Sequence, residues 1–147
     1  MGKDSFKAEY NTKDTDTKAI KEVRTLWKYY NPNPKDKNTG DCAVRAIAKA
    51  MDITWEKAKL LLDAYSMEAA EVETSDLVWG RILAEHGFRM KALYCNDGCT
   101  LEGLCRKYPR GVYVVKLPNH VVCIENGNYY DSWDSGKEIP IYCWEKI

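Results

Sequence analysis

The 147 residues carry 22 basic and 22 acidic side chains, and this even balance gives no reason to expect nucleic acid or an anionic membrane surface as a partner. An apolar content of 45%, with five Trp and ten Tyr, is enough to bury a core, and the length fits a single domain. No apolar run nears the ~20 residues of a membrane-crossing helix and no apolar export signal opens the chain, so a cytoplasmic protein with reduced thiols is expected.

Residues 1–20 are charged and Thr-rich without periodicity, which predicts a flexible tail ahead of one domain over 21–147. From Lys21 to Tyr30 the apolar residues Val23, Leu26, Trp27 and Tyr30 follow a helical spacing that Asn31-Pro32-Asn33-Pro34 would end. The loop from Lys35 then reaches Thr39-Gly40-Asp41, and behind it Val44, Ile47, Ala48 and Met51 mark one face of an Ala-rich helix. Cys42 falls in the first turn of that helix, on the side away from the apolar stripe. Unpaired backbone N–H groups and the positive end of the helix dipole favour a thiolate at such a position, below the usual thiol pKa of about 8.5.

A second helix follows with Thr54 as its N-cap and a core stripe of Trp55, Ala58, Leu61, Leu62, Tyr65 and Ala69. Ser75-Asp76 caps a third helix through Leu77, Val78, Ile82 and Leu83, which stops at Gly87; His86 in its last turn suits the dipole and reads as structural. Phe88 to Leu93 reads as a short strand, Asn96-Asp97-Gly98 as a turn, Thr100 to Tyr108 as a fourth helix and Val112 to Leu117 as a strand. A last strand is expected over Ile139 to Trp144, at a sheet edge because Pro140 cannot donate a ladder hydrogen bond.

Between these lies the most informative stretch. His120 to Glu125 and Asn128 to Trp133 are β-rich runs joined by Asn126-Gly127, the dipeptide best suited to a type I′ hairpin turn. A two-residue turn pairs Glu125 with Asn128, so that Val122 faces Asp131 and His120 faces Trp133, all on one side of the hairpin with Ile124 and Tyr129. His120 and Asp131 are then diagonal neighbours, close enough for the carboxylate to orient the imidazole. Asp134 falls on the opposite side by strand parity. Helices first and a sheet after them predict an α+β domain, with a thiol from one half and an imidazole from the other.

Gly40-Asp41-Cys42-Ala43-Val44-Arg45-Ala46 opening a helix, His120-Val121-Val122 on a strand and Asp131-Ser132-Trp133 on the next resemble papain-fold cysteine peptidases. The pattern from Tyr29-Tyr30 to Tyr142-Cys143-Trp144 is also similar to small papain-like proteins encoded by phages and prophages. The resemblance implies N-terminal helices, with the Cys helix packed on a C-terminal antiparallel sheet. It also implies a Cys42 nucleophile, a His120 base, Asp131 fixing the tautomer, Trp133 shielding their bond, and a protein or peptide substrate handled in the host cytoplasm without a cofactor. Two departures stand out. Asp36 occupies the place of the oxyanion Gln, leaving Asn38 or Asn33 to supply an amide beside the backbone N–H of Cys42, and the connection from Cys42 to His120 is short for the family.

The reading is a cysteine-dependent hydrolase, peptidase or deconjugating, working through an acyl-enzyme; a cysteine acyltransferase would share that intermediate. A catalytically silent papain-like module that binds a host or phage protein is the second alternative. Metal or redox chemistry at the six thiols is the third, although Cys95, Cys99 and Cys105 lack the paired spacing of most zinc ribbons and no metal is expected. Cys123 and Cys143 read as small core residues.

Overall fold

The computed structural model describes residues 26–93 and 99–147. The tail expected over 1–20, the first half of the helix expected over 21–30 and the turn at Asn96-Asp97-Gly98 lie outside them. In chain order the described elements are β1 (Trp27–Tyr29), α1 (Cys42–Met51), α2 (Trp55–Ala69), α3 (Asp76–Glu85), β2 (Phe88–Ala92), α4 (Leu101–Lys107), β3 (Val112–Leu117), β4 (His120–Glu125), β5 (Asn128–Asp131) and β6 (Tyr142–Lys146). The class is α+β. Among the described residues no helix is long and apolar enough to cross a membrane.

The strands form one six-stranded sheet in the order β1-β5-β4-β3-β6-β2. Strands β3 and β4 carry apolar runs, Val112 to Val115 and Val121 to Ile124, because both of their faces are covered. Val114, Val121 and Cys123 point toward α1, α2 and α3, where Ile47, Leu62, Trp79, Ile82 and Leu83 complete one core. Val115, Val122, Ile124 and Tyr129 point the other way and meet Leu101 and Leu104 of α4. Helix α1 is buried nearly all round, since Ala43, Ala46, Ala48 and Ala50 are small enough to let its backbone lie close to its neighbours. Its burial therefore extends well beyond the stripe of Val44, Ile47, Ala48 and Met51.

Local signals act where expected. Thr54 Oγ1 accepts the Lys57 N–H at 3.1 Å, Ser75 Oγ that of Leu77 at 3.2 Å, and Thr100 Oγ1 that of Gly103 at 3.1 Å, each answering an otherwise orphaned donor of a helix start. Asn126 and Gly127 sit at φ 49° and 80°, the two left-handed positions of a type I′ turn, and Glu125 pairs with Asn128 as that turn requires.

Three expectations are corrected. Trp27–Tyr29 is a strand rather than part of a helix, and it runs parallel to β5, so the sheet is mixed and not purely antiparallel. The helical spacing is overridden by pairing with Tyr129–Asp131, reinforced by the Trp27 indole N–H and the Tyr30 N–H, which both donate to the Asp131 carbonyl at 3.0 and 2.9 Å. The last strand starts at Tyr142 and lies inside the sheet between β3 and β2. Pro140 precedes it and so does not interrupt the ladder. Finally, β5 ends at Asp131, where the Ser132 N–H folds back to the Asp131 carboxylate at 2.8 Å, so Trp133 stands in the following loop and not on the strand face.

That loop is clamped. Asp134 accepts from the Tyr129 hydroxyl and from the Gly136 N–H, the latter at 3.1 Å, and a side chain at position 136 would begin within 2.8 Å of the Tyr129 ring carbon that bears the hydroxyl. Gly136→Ala is expected to cost about 1–3 kcal/mol through overpacking, read as a lowered urea midpoint with an unchanged slope.

Candidate active site

Helix α1 begins at Cys42 with Asp41 in the N-cap position, yet the Asp41 side chain does not cap it. One carboxylate oxygen is bound by Arg45 and the other accepts the Trp55 indole N–H at 2.8 Å. The first N–H groups of α1 thus have no side-chain cap, and the positive end of the helix is left beside the sulfur.

Strand β4 brings His120 to the same place. Its ring Nε2 lies 2.7 Å from Asp131 Oδ2, which leaves Nδ1 to serve the Cys42 sulfur lining the same cleft. The backbone N–H of Val121 is also near enough to the Cys42 sulfur to favour its charged form. Trp133, although off the strand, still covers the imidazole: the ring centroids are 5.0 Å apart at a tilt of 41°. The cleft in front of the sulfur has a volume of about 320 Å³ and is walled by Gly40, Thr74, Trp79, Lys116 and Asn119.

Asp131 is 1% exposed and every lone-pair direction is used. Oδ2 accepts from His120 and from the Ser135 hydroxyl at 2.6 Å, and Oδ1 accepts from the Ser132 N–H and from Arg45 Nη2 at 3.3 Å. Arg45, 5% exposed, therefore bridges Asp41 and Asp131 inside the protein. Charges alternate along the resulting chain: Asp41, Arg45, Asp131, His120, Cys42.

The electrostatics follow from this order. Burial pushes the Cys42 thiol up, but the hydrogen bond and charge of His120, the Val121 N–H and Arg45 outweigh it and hold the thiol below its ordinary value. Burial would lower His120, whereas Asp131 and the Cys42 sulfur raise it from 6.5 to about 9. Burial would raise Asp131, and its bonds from His120, Ser135 and the Ser132 N–H bring it below the usual carboxylate range. Each shift favours the charged form of its group, thiolate at Cys42 and imidazolium at His120. Other thiols are driven the opposite way, burial raising Cys105 to about 12 and Cys143 to about 11 and pushing Cys123 up as well.

Cys42, His120, Asp131 and Trp133 thus come together. Asn33 and Asn38 do not join them: Asn33 accepts the Lys35 N–H at 2.9 Å and faces a neighbouring cavity, while Asn38 is exposed on the loop. The amide residue on the cleft wall is Asn119, in the β3–β4 turn at φ 53°. Arg45 and Ser135 also went unread in the sequence. An Asp and an Arg four apart in an Ala-rich helix was a usable signal for Arg45, whereas nothing local marks Ser135. Asp134 is committed to Tyr129 and Gly136. Among the described residues no group of three His, Cys, Asp or Glu is arranged to hold a metal ion.

Two outcomes are expected. Iodoacetamide should alkylate Cys42 with a titration midpoint below the ordinary 9.0, and His120→Ala should move that midpoint upward, because burial then acts with less opposition. Peptide mapping across a pH series checks both. Arg45→Leu leaves two buried carboxylates without their cation and should destabilise the fold by about 3–5 kcal/mol in urea unfolding. No protein-family model matches the chain, and no curated protein and no solved structure matches it either.

Proposed function

We propose that this chain is a cysteine-dependent hydrolase, a peptidase or deconjugating enzyme of papain-like type that works through an acyl-enzyme on Cys42. One observation carries the reading: a helix-start sulfur and an imidazole line one cleft and shift each other's titration, and that imidazole lies 2.7 Å from a buried carboxylate. A structural thiol needs no such partner, whereas a nucleophilic one is activated by an imidazole that a carboxylate orients.

The steps follow from the protonation states. The Cys42 thiolate attacks the acyl carbon, and the oxyanion that forms is met by the backbone N–H of Cys42 at the open helix start, with the Asn119 amide on the adjoining wall. His120 carries the proton on Nδ1 and delivers it to the leaving amine or alcohol as the tetrahedral species collapses to a thioester. Now neutral at Nδ1, the same ring takes a proton from water, which attacks the thioester and frees the acid and the thiolate. Asp131 keeps Nε2–H donating throughout and so prevents the ring from turning.

The acid limb of activity reports Cys42, which must be ionised and titrates below 9.0, and the alkaline limb reports His120, which must be protonated and loses its proton around 9. With p-nitrophenyl esters as acyl donors, a burst of nitrophenol and an acyl adduct on Cys42 by intact mass are expected. His120→Ala should slow the burst by about 10²–10⁴-fold and Cys42→Ala should abolish it. Equal ester cleavage by wild type and Cys42→Ala would overturn the reading.

A further inference from the structure

A second cavity of about 360 Å³ adjoins the Cys42 cleft, and Gly40 and Thr74 are walls of both. Its inner surface is apolar, built by Ala43 and Val44 of α1, Trp55 and Leu62 of α2, and Pro34 of the loop. The Trp55 indole is fixed in place by its bond to Asp41, so this wall is braced by the same carboxylate that holds Arg45. The volume lies within the range of small-ligand sites, which are mostly apolar with a few polar groups at the edge.

Charged side chains stand at the cavity's edge and not on its inner wall. Its two carboxylates are in ion pairs, Asp41 with Arg45 and Glu73 with Lys59 at 2.9 Å, and each cation also serves a second carboxylate, Asp131 and Asp63. Lys35 and Lys37 are exposed at its rim and form no ion pair with another described residue. A basic side chain entering here would lose its hydration against an apolar wall and find no carboxylate that is not already paired. An aromatic or branched aliphatic side chain would lose only its contact with water, which favours entry.

Resting on the hydrolase reading, we infer that this cavity is the specificity pocket, taking a large apolar side chain of the substrate residue whose carbonyl carbon Cys42 attacks. Gly40 makes the junction possible: at φ 66° it turns the chain sharply just ahead of the sulfur, and with no side chain there it leaves the passage between cleft and cavity clear. The pocket and the nucleophile are therefore placed by the same few residues, Gly40 to Val44.

N-acetylated chloromethyl ketones of Phe, Gly and Lys test the pocket without requiring turnover, since the Cys42 thiolate displaces chloride and the thioether is counted by mass. The Phe reagent is expected to alkylate Cys42 at least tenfold faster than the Gly and Lys reagents. Thr39→Trp, an exposed position on the cavity wall outside the Cys42 cleft, should abolish that preference while leaving the iodoacetamide rate at Cys42 unchanged. Pro34→Trp is the second filling variant should the first not fold. Equal rates for the three reagents, or a Phe preference that survives filling in a folded variant, would overturn the pocket. Ester turnover without selectivity removes the pocket and keeps the hydrolase, whereas selective alkylation without any acyl-enzyme removes the hydrolase and keeps the pocket.

Discussion

The structure depends on a guanidinium taken out of water. Arg45 is buried between Asp41 and Asp131, and a lone charge in that position would cost far more than a protein's net stability. It is tolerable because each ionised group in the chain from Asp41 to Cys42 is flanked by its opposite, and because the lone pairs of Asp131 are all met by donors. The same condition that makes the charges bearable also fixes their geometry. A carboxylate that must satisfy Arg45, Ser132 and Ser135 at once has one orientation available, and His120 inherits it.

The sheet serves this arrangement. Strand β1 pairs in parallel with β5 and places two N–H donors on the Asp131 carbonyl, while the type I′ turn sets which residue of β5 stands near His120. Helix α1 can approach β4 closely because its contact residues are mostly alanine. The sulfur therefore comes from a helix seated on one face of the sheet, and the carboxylate from the strand beside β4.

Much of this was legible in the residues and some was not, for physical reasons. Asn126-Gly127 admits few backbone shapes, so the hairpin register could be read from two residues, and Thr54 and Ser75 mark helix starts through hydrogen bonds that span only two or three positions. Trp27–Tyr29 could not be read, because its helical spacing is genuine and only a partner a hundred positions away turns it into a strand. Pro140 pointed to an edge strand because the start of β6 was placed too early. At the site, Cys42, His120 and Asp131 stood out through residue type and local setting. Arg45 did not stand out, since nothing nearby in the chain reveals that both of its sides are covered. The cavity beside Gly40 is formed by segments from Asn33 to Thr74 and exists only once they are packed together.

The distance along the chain between sulfur and imidazole also bears on biosynthesis. A ribosome releases Cys42 well before His120 and Asp131, and until the hairpin has emerged and closed, the nascent thiol lacks its partner and remains a weak nucleophile. The lowered thiol is thus acquired late, when the polypeptide completes its last long-range contacts, and a half-made chain lacks the imidazole that produces it.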